Sequence, residues 1–403
     1  MISKLALSFM IAIGMFLPLT QAQEGSIDKK DTIPIAKTPD VAPASSETIL
    51  QALKKGAKYL IDTQRPDGAW GDHRVIGNEN LYCPYPNGPK SFRAASTALC
   101  VIGLASLPYP RDEAIKQALQ KGEEFLLREV PNVKRADRLC NYNIWVHIYS
   151  IDAYCLLAKE CEPNSPRYNQ LKQATAEQVK ILEDLCDSRG GWGYITDIGL
   201  TRRPIGSTTS FTTASVLISL KQAKDLFGVT ISKKYFDLSL DTLKAQRTPS
   251  GTYVYSSEHV KCPTRYINRH TGSLARSPVC DYALMLWDPK AVSTTQLDDA
   301  LDRIWSREGW LTMALKKPVP HESFAANSGY FYYYGYYYAV MSLELLPQPR
   351  VKRHAAYIAN NMLRQQETDG SWWDYPVYNY HKFYGTGYTL YILSEAYKRL
   401  YTE

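Results

Sequence analysis

Several things are missing from this 403-residue chain, and each absence removes a class of function. No block of like charge occurs, and only 22% of residues are charged, so a polyelectrolyte tail for nucleic acid is excluded and no nucleic-acid partner is expected. No Gly-x-Ser-x-Gly elbow and no phosphate-binding Gly-rich loop occurs, which argues against a serine hydrolase or a nucleotide-driven enzyme. No pair of carboxylates marks a glycosidase. Alternation with a period of two is missing, so a sheet-based fold is not expected. Histidine is scarce at 7 residues, and His259-x-x-Cys262 with His270 lacks the second close pair of a zinc site. No metal and no cofactor is expected. Past the N-terminus, no apolar run is long enough to cross a bilayer. Tyrosine alone is abundant, at 30 residues.

The N-terminus reads as an export signal. Lys4 is the only charge before an apolar run from Leu5 to Leu19, and Thr20-Gln21-Ala22 supplies small residues where a signal peptidase cuts. Residues 1–22 are therefore expected to be a signal peptide, and the protein to be periplasmic or secreted. Loss of Lys4 takes the net charge from +7 to +6, a mild bias toward anionic ligands. Residues 23–47 are rich in Lys, Asp, Thr, Pro, Ala and Ser without apolar periodicity and read as a flexible linker. Of the eight cysteines, Cys100, Cys155 and Cys280 fall in apolar helices and read as buried. Cys83, Cys140, Cys161, Cys186 and Cys262 lie in or near loops and are candidates for bridges.

From residue 48 onward a unit of about sixty residues recurs. Lys55-Gly56-Ala57-Lys58-Tyr59-Leu60 leads to Gln64-Arg65-Pro66-Asp67-Gly68-Ala69-Trp70, and Gln366 to Trp372 repeats the second half. Gly190-Gly191-Trp192, Gly251-Thr252-Tyr253 and Glu308-Gly309-Trp310 fall between them, with a degenerate unit around Lys121-Gly122. Each unit pairs an amphipathic helix with a helix apolar on all sides, which belongs in an interior. The apolar helices are placed at 92–107, 144–158, 211–223, 279–287, 330–346 and 384–400. Six amphipathic and six buried helices in alternation predict an all-α (α/α)6 toroid over residues 48–403, with Trp70, Trp192 and Trp372 buried against helix ends.

The Lys-Gly-x-x-Tyr-Leu-x-x-x-Gln-x-x-x-Gly-x-Trp stretch of 55–70, its copy at 366–372, and Thr386-Gly387-Tyr388-Thr389-Leu390 resemble the repeats of the terpenoid cyclase and protein prenyltransferase family. The resemblance implies the same toroid, but the family chemistry does not carry over. Its cyclases use an Asp-x-Asp-Asp acid, and the helix start that might host one reads Ser207-Thr208-Thr209-Ser210. Its transferases hold zinc with Asp-x-Cys and a later His. Here Cys280-Asp281 are adjacent and reversed, and Gly385 stands at the histidine position. Asp298-Asp299-Ala300-Leu301-Asp302 matches a diphosphate–magnesium motif, but its amphipathic helix makes a solvated charged face the expected reading.

Toroids of this kind place ligands at the starts of the inner helices. Those starts combine Arg93, Asn143, His147, Arg276, Asp281, Asn327, Tyr330 and His381, the candidate ligand-binding set. Tyr142, Trp145 and the Tyr330–Tyr338 run add aromatic faces. No catalytic residue is assigned. The expected function is an exported toroid binding a small molecule or glycan in a polar-aromatic cavity. Two alternatives stand beside it: an extracytoplasmic carbohydrate-active enzyme resembling a polysaccharide lyase, with His, Tyr and Arg for β-elimination, and a divergent terpenoid cyclase or transferase. A protein partner is left open.

Overall fold

The computed structural model describes residues 40–74, 87–135, 140–195, 204–206, 208–322 and 324–402. The expected signal peptide and most of the expected linker lie outside the described residues, as does Cys83. Thirteen α-helices and no strand occur among the described residues.

Six helices form the outer layer: α1 (Ser46–Thr63), α3 (Glu113–Glu129), α5 (Pro166–Leu185), α7 (Lys233–Ala245), α9 (Thr294–Ser306) and α12 (Gln348–Arg364). Six form the inner layer: α2 (Asn87–Ala105), α4 (Ile144–Ala158), α6 (Ser210–Phe227), α8 (Arg276–Trp287), α11 (Phe331–Ser342) and α13 (His381–Tyr401). A single extra turn, α10 (Gly309–Thr312), precedes α11. Inner helices pack in the order α2, α4, α6, α8, α11, α13 and back to α2, which closes the ring. The outer helices bury one stripe, as in Ile49, Ala52, Leu53, Gly56, Ala57 and Leu60 of α1, while every residue of α11 is buried. This is the (α/α)6 toroid expected from the alternation. Inner-helix starts differ from the sequence boundaries by up to five residues, because polar first turns such as Asn87–Ser91 carry no apolar signal.

The repeated turn does the same job in each unit where it is complete. The indole Nε1 of Trp70, Trp192 and Trp372 donates to the carbonyl of the residue ten before it, Leu60, Leu182 and Met362, at 2.7–2.8 Å. A last-turn carbonyl of each of these outer helices thereby gains a donor where the helix's own N–H groups run out. The backbone N–H of the same tryptophans donates to Thr97, Thr213 and Thr386 of the following inner helix at 2.9–3.2 Å. Gln64 and Gln366 brace the turn from within and also reach Ala118 and Ala52 of the next outer helix.

Glycine is required at two kinds of position in this turn. Gly68 and Gly370 have φ of +92° and +88°, and a Cβ there would lie 2.2 Å from Lys121 O and 2.7 Å from Lys55 O. On the receiving helices, a Cβ at Gly56 would lie 2.6 Å from the Trp372 ring and one at Gly122 3.1 Å from the Trp70 ring. The Lys-Gly pairs of the sequence repeat are therefore the landing sites of the preceding Trp turn. Unit five departs from the expectation. Gly309 has no left-handed φ, and Trp310 sits half-buried in α10 instead of covering a helix end.

The Asp298–Asp302 segment corrects another expectation. Asp298 and Asp302 are buried between outer helices rather than solvated. Asp298 accepts from His354 Nε2 at 2.8 Å and pairs with Arg350 at 3.2 Å, while Arg353 pairs with Asp302. Trp305 Nε1 donates to His354 Nδ1 at 2.7 Å, so the imidazole is bridged on both sides. The motif joins α9 to α12. Cys100, Cys155 and Cys280 are buried as expected, whereas Cys161 and Cys262, two of the bridge candidates, carry free thiols.

Asp152 of α4 is enclosed in the inner ring, where Ser219 Oγ of α6 donates to Oδ1 at 2.6 Å. Burial pushes its carboxyl up to about 7. The unfolded chain releases this proton near 3.8 and the folded chain near 7, so the folded state binds more protons in between. The stability contributed by Asp152 is thus full at acid pH and falls as pH rises through that window. An Asp152→Asn variant keeps an acceptor for Ser219 and removes the titration. Its stability relative to wild type is expected to rise by on the order of 2–4 kcal/mol between about pH 4.5 and 8. Denaturant melts at the two pH values measure this, and an unchanged difference would contradict it.

Candidate functional site

The starts of five inner helices enclose a central cavity of about 150 Å³. Twelve of its sixteen described lining residues are aromatic, and none is charged. α2 contributes Phe92 with Ala95, Ser96 and Leu99; α4 contributes Trp145 and Tyr149; α6 contributes Phe211. Phe331 and Tyr334 come from α11, Tyr384 and Tyr388 from α13, and the loops supply Tyr142, Tyr194, Tyr330, Val377 and Tyr380. The rings brace one another. Trp145 stacks on Tyr149 and on Phe211 at 6.1 and 6.2 Å between centroids, and Phe211 meets Phe331 edge-on at 5.1 Å.

Most of the tyrosine hydroxyls in this lining are bonded to protein, which leaves their faces for a guest. Tyr149 and Tyr388 bond each other, and Tyr194 bonds Tyr255. Tyr334 donates to Phe211 O at 3.0 Å, and Tyr380 to Pro89 O at 2.9 Å. Tyr384 donates to Asp374 Oδ1 at 2.7 Å and to Tyr375 O at 2.8 Å. Tyr330 bonds His321 Nε2 at 3.0 Å. Ser96 is different: its buried hydroxyl oxygen lines the cavity and has no hydrogen-bond partner among the described residues. The wall is apolar in its faces and polar only at a few points.

Of the eight candidate residues, the structure places Tyr330 on this cavity, and it does not bring the other seven there. Arg93 turns outward, donating to Gly71 O at 3.1 Å and pairing with Asp67 at 2.8 Å. Asn143 Nδ2 meets His147 Nε2 at 3.2 Å, and His147 Nδ1 meets Gln178 of α5 at 2.7 Å. That chain ties the inner layer to the outer one, and burial lowers the imidazole to about 4. Asp281 accepts from Tyr253 at 2.8 Å beside Arg247, and burial raises its carboxyl to about 6. Asn327 donates to the carbonyls of Thr271 and Trp310. His381 bonds Tyr378 O at 3.2 Å and faces the Trp373 ring edge-on, with burial lowering it to about 4.

Arg276 lies against one ring of the wall, Phe331. It is fully buried behind the wall, its guanidinium 5.2 Å from the Tyr255 centroid and 5.5 Å from that of Phe331. Nη1 and Nη2 donate to Gly272 O at 2.7 Å and Ile267 O at 2.5 Å. Polar residues at helix starts thus hold the two layers together, and aromatic ones face the hole. The signal for this was present in the tyrosine run. Tyr330 and Tyr334 face the cavity, while Tyr332 and Tyr336, two residues on, turn outward to share Glu308 Oε1 at 3.0 Å each. His321 and Asp374, behind the wall, lie in loops with no pattern to announce them.

Among the described residues, no three His, Cys, Asp or Glu side chains are grouped to hold a metal ion. None of the described helices is long and apolar enough to cross a membrane.

Neither a family model nor a curated protein matches the sequence. Solved structures do. The unsaturated glucuronyl hydrolase of Streptococcus agalactiae matches at 13% identity and a TM-score of 0.55, over 95% of this chain and 98% of its own. An inactive variant of the α-1,6-mannanase GH76A of Salegentibacter sp., in complex with α-1,6-mannotetrose, matches at 13% identity and a TM-score of 0.52, over 87% and 99%. The type II terpene cyclase MstE from Scytonema matches at 15% identity and a TM-score of 0.47, over 89% and 100%. What the chain shares with the two carbohydrate enzymes at this identity is the fold, and the α/α toroid is the conclusion they support.

Proposed function

We propose that this protein acts after export and binds a small, uncharged, mostly apolar ring-shaped molecule in its central cavity. One observation carries the reading: the lining is a box of aromatic faces with no charged side chain among its described members. An ionised ligand would lose its hydration there without a partner, whereas an apolar face gains contact with rings already fixed in place. The size fits a guest of about one six-membered ring, since an apolar cavity of ~150 Å³ accommodates benzene. Arg93 and Arg276, which favoured an anionic ligand in the sequence, both have protein partners.

The test is a binding screen by thermal shift and ligand-observed NMR against uncharged monocyclic compounds, isoprenoids, uronate oligomers and manno-oligosaccharides. Uncharged ring compounds are expected to bind. Trp145→Ala, which deletes the largest wall, should weaken them by about 2 kcal/mol, ~30-fold in Kd. Binding confined to uronates or mannosides would replace this reading with the carbohydrate-active one.

A further inference from the structure

A hydroxyl on a helix has a default partner, the carbonyl four residues back. On α2, Ser91 gives its proton to Asn87 O at 2.8 Å and Thr97 gives its own to Arg93 O at 2.9 Å. Ser106, just past the end of that helix, does the same with Ile102 O at 2.7 Å. Ser96 does not. Its hydroxyl makes no bond to Phe92 O or to any other described residue, although the side chain is only 2% exposed. It stands on the face of α2 that turns Phe92 and Leu99 toward the cavity, beside the small Ala95. Buried hydroxyls are normally paired, and one left alone costs its lost hydration. Water is a poor candidate for the missing partner. A buried water typically makes two to four hydrogen bonds, and one held at Ser96 would face a lining made mostly of aromatic rings. An oxygen carried on a ring is held in place by the contacts of the ring itself.

We propose that the guest of this cavity carries an oxygen acceptor on its ring, as a cyclic ketone or lactone does, and that Ser96 donates its hydroxyl proton to that oxygen. This rests on the reading of the cavity as a site for an uncharged ring, and it adds which rings are preferred. The proton of Ser96 is the group without a destination in the protein, so what the ligand supplies is an acceptor. A carbonyl meets that need without bringing a further proton to be placed in the wall. A carboxylate would accept more strongly, but it would lose its hydration in a lining with no charged side chain among its described members. Arg276 does not relieve this, because it stands behind Phe331 with Nη1 and Nη2 donating to backbone carbonyls. Ser96 is thus a specificity-determining contact: the ring faces supply most of the affinity, and the hydroxyl selects the oxygenated ring by about tenfold, the usual net worth of one hydrogen bond.

The experiment compares cyclohexanone with methylenecyclohexane, which has the same ring and nearly the same shape but a CH₂ group in place of the oxygen. Both are titrated against wild-type protein and Ser96→Ala by saturation-transfer NMR. The substitution is expected to weaken cyclohexanone about tenfold and to leave methylenecyclohexane within about twofold. A second measurement needs no ligand. Ser96→Ala removes an unpaired hydroxyl and should melt no lower than wild type, whereas Thr97→Ala loses the bonds to Arg93 O and from the Trp70 amide and should melt lower. If the substitution changes both compounds alike, if the hydrocarbon binds and the ketone does not, or if Ser96→Ala melts below wild type, the role of Ser96 is overturned and the cavity reading stands. If neither compound nor any other uncharged ring binds, both fail.

Discussion

Replacing Trp70 by alanine is expected to destabilise the protein by about 3–5 kcal/mol, the cost of emptying a large buried aromatic site. The ring is fully buried and rests on Gly122 of the next outer helix. The substitution also removes the indole donor to Leu60 O and leaves that carbonyl at the helix end only a long contact from Thr63 Oγ1, at 3.5 Å. Chemical denaturation gives the number directly, and a loss below about 1 kcal/mol would show that the turn does not join the units. The reciprocal change supplies a control. Gly122→Ala puts a methyl 2.7 Å from Val101 Cγ2 and 3.1 Å from the Trp70 ring, so it should also be destabilising. In the Trp70→Ala background part of that cost should vanish, a coupling visible in a double-mutant cycle.

Gly387→Val is expected to cost about 3 kcal/mol or more, and to do so by opening the ring. A Cβ at Gly387 would lie 2.5 Å from Leu99 C and O and 2.7 Å from Cys100 N. One at Gly103 would lie 2.6 Å from Gly387 O. These contacts are with backbone, which cannot yield as a flexible side chain does, so overpacking here lies at the upper end of its usual range. The crossing is between α2 and α13, the first and last inner helices, and their contact closes the toroid. Unfolding of the variant is expected to lose cooperativity, with the cavity tryptophan Trp145 reporting exposure before the helices melt. A single transition unchanged in midpoint would refute that role for the glycine.

The architecture was legible because each repeat carries its own instructions. The Gln, Gly and Trp of the turn are local chemistry, and their spacing survives at 64, 68 and 70 and again at 366, 370 and 372. The buried helices were equally plain, since a helix apolar on every side has one place to go. Unit five misled because Gly309-Trp310 has the right residues in a right-handed turn, and sequence spacing does not report φ. Asp298 and Asp302 misled for a related reason. An amphipathic pattern marks the face turned from the core, but not whether a neighbouring outer helix covers it with Arg350, Arg353 and His354.

The sequence by itself determined the helix alternation, the count of units and the closing of outer-helix ends by tryptophan, because those depend on residues within about twenty positions of one another. The tertiary structure decided which side chains meet in the hole. Arg93, Asn143, His147 and Asp281 stand at helix starts just as Tyr330 does, and helical rotation of a few residues sends them between the layers, where their charges and amides find partners. His321 and Asp374 come to lie behind the cavity wall from loops whose course is fixed by contacts with other units, such as Lys316 N on Asp374 O and Asn327 on Thr271 O. No periodicity encodes that meeting. It follows from closing the ring, which places residues hundreds of positions apart, from Phe92 to Tyr388, around one cavity of about 150 Å³.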